Sequence, residues 1–210
     1  MSAALAGLLA VLLSALLAVW AVLDGAVQGV GATLLHERGK DGSDRRRTPA
    51  RRGQVLDAVR PLRLPGEAAL VAAVVVLLLG FPGAAADLWR YAYPLVTALA
   101  GSLVVRDAAV WLRARRAGHV WRDLWEVVLV VASIVLAGSW GALLGVAWGS
   151  GPAALALAVV TVVVTRLHGD AVVVRRLRRT PALPVVVTAV MVAAPVVGTA
   201  VAAWPRLVGG

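Results

Sequence analysis

The chain has 210 residues, of which 60% are hydrophobic and 15% are charged, and its mean hydropathy is +0.86. Soluble proteins average about 25% charged residues, so this composition excludes a water-soluble domain and favours a protein built from membrane-spanning helices. Cysteine is absent, which excludes disulfides, thiolate metal sites and haem attachment through cysteine.

Apolar runs of membrane-spanning length recur along the chain. They predict an all-α fold, a polytopic transmembrane bundle of about six helices in a single integral membrane domain over residues 1–210. The first run lacks a positively charged start and continues past Leu23 without a clear cleavage site, so we interpret it as a retained span. The predicted spans are approximately 3–35, 66–82, 87–112, 123–149, 152–174 and 182–204, with a basic loop over 36–65.

The net charge of +10 is concentrated in three connections between the spans, and only Arg90 and Arg206 among the basic residues lie elsewhere. By the positive-inside rule, these connections are predicted to be cytoplasmic and both termini external, in a multi-pass protein of the plasma membrane. We interpret the basic run from Arg45 to Arg52 as a determinant of topology that contacts anionic membrane lipid, and not as a nucleic-acid site.

A polar cluster interrupts the first span from Asp24 to Gly31. Asp24 and Gln28 are four residues apart and share a helix face, while Gly25 and Gly29 form a Gly-x-x-x-Gly motif that favours close helix packing. An ionisable residue is costly inside a membrane, so Asp24 either contacts a proton or a quinone headgroup or bonds to a neighbouring helix. Because Gln28 forms hydrogen bonds but does not titrate, we favour the structural role.

Further charged residues lie near the predicted membrane boundary. Glu67 is interpreted either as a proton-uptake group or as an exposed carboxylate near a helix N-terminus, where the helix dipole favours it. Arg106 and Arg113 are expected either to extend toward lipid phosphates or to form a salt bridge to another subunit. Arg166 and Asp170 are four residues apart and are predicted to form an ion pair.

The three histidines, His36, His119 and His168, lie near the predicted cytoplasmic ends of the spans, and none lies mid-span. Haem inside a membrane needs axial ligands such as histidine or methionine, so we expect this chain to hold no haem. Walker, HExxH and GxSxG motifs are absent from the sequence, as are paired catalytic carboxylates. The sequence therefore predicts neither a catalytic site nor a metal site of its own.

Several segments resemble subunit II of the cytochrome bd quinol oxidases, in order and spacing. Trp20 to Gly31 is similar to the family's first helix, in which an apolar run precedes Asp-Gly-Phe-Asp-x-Gly-Val-Gly. Residues 61–70, ending in Glu-Ala-Ala-Leu, stand where the family has Pro-x-Trp-Asp-Gly-Asn-Glu/Gln-Val-Trp-Leu. Arg106 to Arg113 resembles its Arg-x-x-x-Phe-x-x-Arg, and Trp121 to Trp125 its Trp-x-x-x-Trp. The resemblance covers roughly residues 15–180.

The chain also departs from the family pattern. Gln28 stands in place of the second aspartate of the first motif, and Leu64 in place of an aspartate that belongs to a proposed proton route. Six spans are predicted where the family usually has eight. The chain therefore looks like a shortened and divergent relative.

The resemblance implies a haem-free component of a quinol:oxygen oxidoreductase, which scaffolds a haem-bearing subunit I and lines a proton or oxygen route. Haems b and d would be bound by that partner, no cofactor is expected in this chain, and a quinone site is left open. Two alternatives stay open: a degenerate, non-respiratory membrane scaffold, and a small transporter. The transporter would use Asp24, Gln28, Arg166 and Asp170 as an intramembrane polar site.

Overall fold

The computed structural model describes residues 2–38, 44–116, 118–147, 151–178 and 181–208. Six helices, each long and apolar enough to cross a membrane, occupy most of these residues, which confirms the predicted all-α bundle. The connection between the first two helices holds two short antiparallel strands, β1 (His36–Arg38) and β2 (Asp44–Arg46). The helices are α1 (Ala3–Ala32), α2 (Pro49–Gly80), α3 (Pro82–Leu112), α4 (His119–Ala147), α5 (Gly151–Arg178) and α6 (Leu183–Val208).

The second helix begins much earlier than predicted. It starts at Pro49 rather than at residue 66, so most of the predicted basic loop over 36–65 is helical. The Thr48 side chain caps the helix by accepting a hydrogen bond from the Arg51 amide at 3.4 Å. Proline at the first helical position is well tolerated, because its missing N–H would have no partner there.

Two prolines inside α2 made this segment resemble a loop. Pro61 and Pro65 are four residues apart on an exposed face, and each removes one backbone hydrogen bond without ending the helix. The opposite face buries Arg52, Val55 and Val59, whose spacing of three and four residues is that of an amphipathic helix. The prediction was wrong because this narrow buried stripe is obscured by the surrounding charges.

The first helix lies at the centre of the bundle, where it contacts α2, α4, α5 and α6. Trp20 is fully buried and packs edge-to-face on Trp140 of α4, with ring centroids 4.7 Å apart. Six residues beyond Asp24, Val30 joins a cluster that includes Val55 of α2 and Val172 of α5. The polar cluster of the sequence therefore lies in the middle of this chain's own packing.

Glycines allow α1 and α5 to meet at backbone contact distance. A Cβ atom at Gly29 would collide with the carbonyl group of Thr165, and one at Gly169 would lie 2.6 Å from the Val30 nitrogen. The Gly-x-x-x-Gly motif thus provides the close approach expected of it. The approaching helix belongs to this chain and not to another subunit.

Charge and apolar surface are separated along the bundle. Leu79 and Leu155 are 81% and 70% exposed, as expected of side chains that face lipid or another membrane subunit. Most of the arginines lie at one end of the bundle, where α1, α3 and α5 end and where α2, α4 and α6 begin. We call this end of the molecule the basic end; it carries Arg47, Arg52, Arg113, Arg122 and Arg176.

Candidate functional site

A buried ion pair joins α1 to α3 at the polar cluster. Nη1 of Arg106 donates to both carboxylate oxygens of Asp24, at 2.7 Å each, and both residues are fully buried. Nε2 of Gln28 adds a third hydrogen bond to Asp24, also at 2.7 Å. Hydrogen bonds between charged groups are the strongest type in proteins, and burial excludes water from competing for them.

This arrangement differs from both roles considered for Arg106. Its side chain is 1% exposed, so it does not extend to lipid phosphates, and its salt bridge lies within the chain rather than between subunits. Gln28 and Asp24 share a helix face, as predicted, and the structure adds a hydrogen bond between them.

The ion pair continues into a network of half-buried groups. Nε of Arg106 donates to Asp107 at 3.1 Å, and Asp107 also pairs with Nη2 of Arg63 at 2.7 Å. Oε1 of Glu67 lies 3.7 Å from Arg63 and 4.0 Å from Nη2 of Arg106. We call these five residues, Asp24, Arg106, Asp107, Arg63 and Glu67, the Asp24 network. Glu67 lies in the middle of α2. It is therefore not near a helix N-terminus, as one interpretation of the sequence had it.

Some polar atoms of this region have no hydrogen-bonding partner among the described residues. They are Nη2 of Arg106, Oε1 of Glu67 and Oε1 of Gln28, and all three atoms are buried. Buried polar groups normally bond to protein or to ordered water. The 4.0 Å separation between Arg106 and Glu67 is too long for a direct hydrogen bond and suits a bridging water molecule.

A second buried carboxylate, Glu126 of α4, was not singled out from the sequence. Nη1 of Arg52 lies 2.5 Å from Oε2 of Glu126 and 3.0 Å from Asp123, and Nη2 of Arg113 lies 3.5 Å from Oε1 of Glu126. The available signal was the pair of acids three residues apart at the start of an apolar span, with Asp123 inside the Trp121–Trp125 motif and Glu126 directly after it. We call Arg52, Arg113, Asp123 and Glu126 the Glu126 network.

Between the two networks, a cleft of about 740 Å³ opens at the basic end, where α2 and α3 contact each other little. Arg63 and Asp107 of the Asp24 network line it, as does Arg113 of the Glu126 network. Val27 and Gly31 of α1 form its floor. We call it the arginine cleft, since Arg60 and Arg122 also line it. It gives groups at the basic end access to the Asp24 network.

Arg166 and Asp170 do not form the predicted ion pair. Asp170 lies 3.6 Å from Nη2 of Arg47, while Arg166 is exposed. Neither residue belongs to the Asp24 network, so the four residues of the transporter hypothesis do not form one polar site.

His168 is buried and both of its ring nitrogens are in contact with polar groups. Nδ1 lies 2.9 Å from Oγ1 of Thr188, and Nε2 lies 3.0 Å from the carbonyl oxygen of Val22. A nitrogen that is hydrogen-bonded in this way does not fit the role of an axial haem ligand. Within the described segments, no group of three or more histidine, aspartate or glutamate side chains is placed to hold a metal ion.

The fold and the site together define a class, that of polytopic helical membrane proteins with a buried ion-pair network reached from their basic end. The family described as cytochrome bd terminal oxidase subunit II matches residues 5–169, which include Asp24, Arg106 and Glu126. The chain therefore belongs to this family and is a component of bd-type oxidase. No curated protein sequence matches it significantly.

Proposed function

We propose that this chain is the haem-free second subunit of a quinol:oxygen oxidoreductase, that it scaffolds the haem-bearing subunit, and that the Asp24 network carries protons. The observation on which the proposal rests is the continuous set of charged groups from the arginine cleft, through Asp107 and Arg63, to the buried Asp24–Arg106 pair. Intramembrane charges that are paired and reach a cleft are typical of proton pathways.

The scaffolding role is supported by the rigidity of the bundle. The Asp24–Arg106 pair fixes α3 to α1, and the contact of Gly29 with Thr165 fixes α5 to α1. Large apolar side chains such as Leu79 and Leu155 leave the outer surface suited to another apolar membrane subunit. The partner would bind to this outer surface, because the polar cluster is enclosed.

Glu67 is the better proton carrier of the two candidate carboxylates. A proton on Asp24 would disrupt two short hydrogen bonds from Arg106, whereas the contacts of Glu67 to Arg63 and Arg106 are 3.7 Å and 4.0 Å. Glu67 is also half-buried, so it can exchange protons with water more readily. Asp24 would then hold Arg106 in place, and Arg106 would keep Glu67 and Asp107 close to each other.

The orientation follows from the basic end. The positive-inside rule assigns that end to the cytoplasm and both termini to the outside, since the number of spans is even. Protons would enter the arginine cleft from the cytoplasm. In the complete oxidase, haems b and d bound by the partner supply the chemistry of oxygen reduction, and this chain's residues would only bind and pass protons.

The test is affinity purification of the tagged full-length chain from its native membranes. We expect a haem-bearing partner to co-purify and the preparation to oxidise quinol with oxygen as acceptor. A preparation without haem, together with unchanged cyanide-resistant respiration after deletion of the chain, would contradict the proposal. Solute flux by the isolated chain in liposomes, abolished by Asp24→Asn, would support a transporter instead.

The proton route is tested separately with Glu67→Gln in the purified complex. We expect slower quinol oxidation at unchanged haem content, because glutamine hydrogen-bonds but does not titrate. Asp87→Asn, an exposed position near the start of α3, is the matched control. Equal activity of the two variants would exclude Glu67 from the route and leave the subunit assignment intact.

A further inference from the structure

The arginine cleft is lined by more arginines than carboxylates, so it carries an excess of positive charge. Its four arginines, Arg60, Arg63, Arg113 and Arg122, face two carboxylates, Asp57 and Asp107. Arg63 is paired with Asp107 at 2.7 Å, and Arg113 with Glu126 at 3.5 Å. Arg60 and Arg122 have no ion pair with any residue that the structure describes.

The excess charge is concentrated in a small volume. Arg113 and Arg122 line the same cleft, so their positive charges repel each other. Guanidinium groups of like charge that border one cleft favour an anion between them, since an anion converts the repulsion into attraction. Phosphate suits such a site, because arginine donates to it in a planar, two-pronged geometry.

The walls of the cleft are apolar below the arginines. Val27, Val59 and Val110 line it from three helices, and Val27 lies one helical turn from Asp24, so the cleft extends into the membrane-spanning part of the bundle. A volume of about 740 Å³ is in the range of ligand sites that hold a headgroup and part of a chain. A free phosphate ion would leave these walls without a contact.

We propose that the arginine cleft binds one anionic phospholipid, with Arg60 and Arg122 as ligands of its phosphate group and Val110 in contact with an acyl chain. The lipid fills the gap between α2 and α3 and adds a contact between them beyond the Arg63–Asp107 pair. Arg60 is exposed and Arg122 is half-buried, but they line one cleft from two different helices. This convergence distinguishes the site from the diffuse attraction of lipid to scattered basic residues. The inference does not depend on the proposed oxidase function.

The experiment measures lipid binding to the purified full-length chain by native mass spectrometry, with phosphatidylglycerol as the probe. We expect one tightly bound phosphatidylglycerol per chain and weaker retention of phosphatidylcholine, whose net charge is zero. The double variant Arg60→Gln/Arg122→Gln should weaken binding by about tenfold or more, as expected for losing charge-assisted hydrogen bonds. The double variant Arg175→Gln/Arg178→Gln removes the same two charges from exposed positions at the end of α5, and it should bind as the unmodified protein does.

Two further measurements separate the sources of the phosphate. Free glycerol 3-phosphate should fail to displace the lipid; displacement at matched concentration would assign the cleft to a soluble phosphate ester and overturn the lipid proposal. Val110→Trp narrows the apolar wall without changing charge, and it should weaken lipid binding even if the double glutamine variant fails to fold. Unchanged binding in the folded variants, or an equal loss in Arg175→Gln/Arg178→Gln, would overturn the site.

Discussion

Arg106 and Asp24 lie 82 residues apart in sequence and are joined by two hydrogen bonds of 2.7 Å in the interior of the bundle. Each charge makes the burial of the other tolerable, because an isolated ion in a low-dielectric interior is far more costly than a paired one. Neither charge can therefore be removed alone without leaving the other buried and unpaired.

Asp24→Asn should destabilise the protein by about 3–5 kcal/mol, because it leaves Arg106 as an uncompensated buried charge. The measurement is thermal unfolding of the detergent-solubilised protein. Asp87→Asn, at an exposed position, is the matched control. The double variant Asp24→Leu/Arg106→Met should recover much of the loss, since it removes both charges together. If Asp24→Asn is as stable as Asp87→Asn, the pair does not stabilise the fold.

Gly29→Ala should prevent the normal packing of α1 on α5, because the added methyl group would occupy the position of the Thr165 carbonyl. We expect a lower unfolding temperature, with a cost of about 1–3 kcal/mol for overpacking. Gly101→Ala is the control, since no atom lies within 4 Å of the position its Cβ would take. Alanine there should be neutral or stabilising, as it favours helix more than glycine does. Equal effects of the two substitutions would argue against the close α1–α5 contact.

Glu126→Gln should loosen the start of α2, because Arg52 and Arg113 both lose their buried anionic partner. Hydrogen exchange of the backbone amides over residues 49–59 is the measurement, and we expect faster exchange there than in α5. Asp123→Asn is the comparison: its side chain is 62% exposed, and pairs at exposed sites contribute little. Faster exchange in Asp123→Asn than in Glu126→Gln would contradict the prediction that Glu126 stabilises the start of α2 more than Asp123 does.

His168→Leu should lower stability by about 1–3 kcal/mol, since the carbonyl oxygen of Val22 loses its hydrogen-bond donor. The haem absorption spectrum of the purified complex should stay unchanged, because His168 is not expected to ligate haem. His119→Leu, at the exposed start of α4, is the control for removal of an imidazole. A haem band lost in His168→Leu and kept in His119→Leu would show that the histidine serves the cofactor.

Local patterns in the sequence predicted much of this structure. The apolar runs located six spans, and the four-residue spacing of Asp24 and Gln28 predicted a shared helix face, on which the two side chains form a hydrogen bond of 2.7 Å. The partner of Asp24 could not be predicted in this way. Helical periodicity predicts the face on which a residue lies, but it does not predict which distant helix packs on that face. Arg106 was therefore expected to contact either lipid phosphates or another subunit, and its partner within the chain was missed.

The remaining errors have a common cause. Arginines near the ends of spans were expected to contact lipid or another subunit, whereas Arg52 and Arg106 are buried and pair with carboxylates on other helices of this chain. Asp170 was paired with the nearest arginine in its own helix, but Arg47, before α2, reaches it instead. In each case the outcome depends on which helices become neighbours, which a single sequence does not specify.

The distance along the chain between Asp24 and Arg106 also affects how the protein is made. Synthesis proceeds at about 5–20 residues per second, so the 82 residues that separate the pair take roughly 4–16 s. During that time α1 lies in the membrane with the Asp24 carboxylate, while Arg106 has not yet been synthesised. Gln28 is the one partner that is present at once, because it lies on the same helix and already donates to Asp24. The Gln28 amide thus gives the Asp24 carboxylate one hydrogen bond until α3 is synthesised. If synthesis stopped before Arg106, α1 would keep an unpaired carboxylate in the membrane and would be a substrate for membrane quality control.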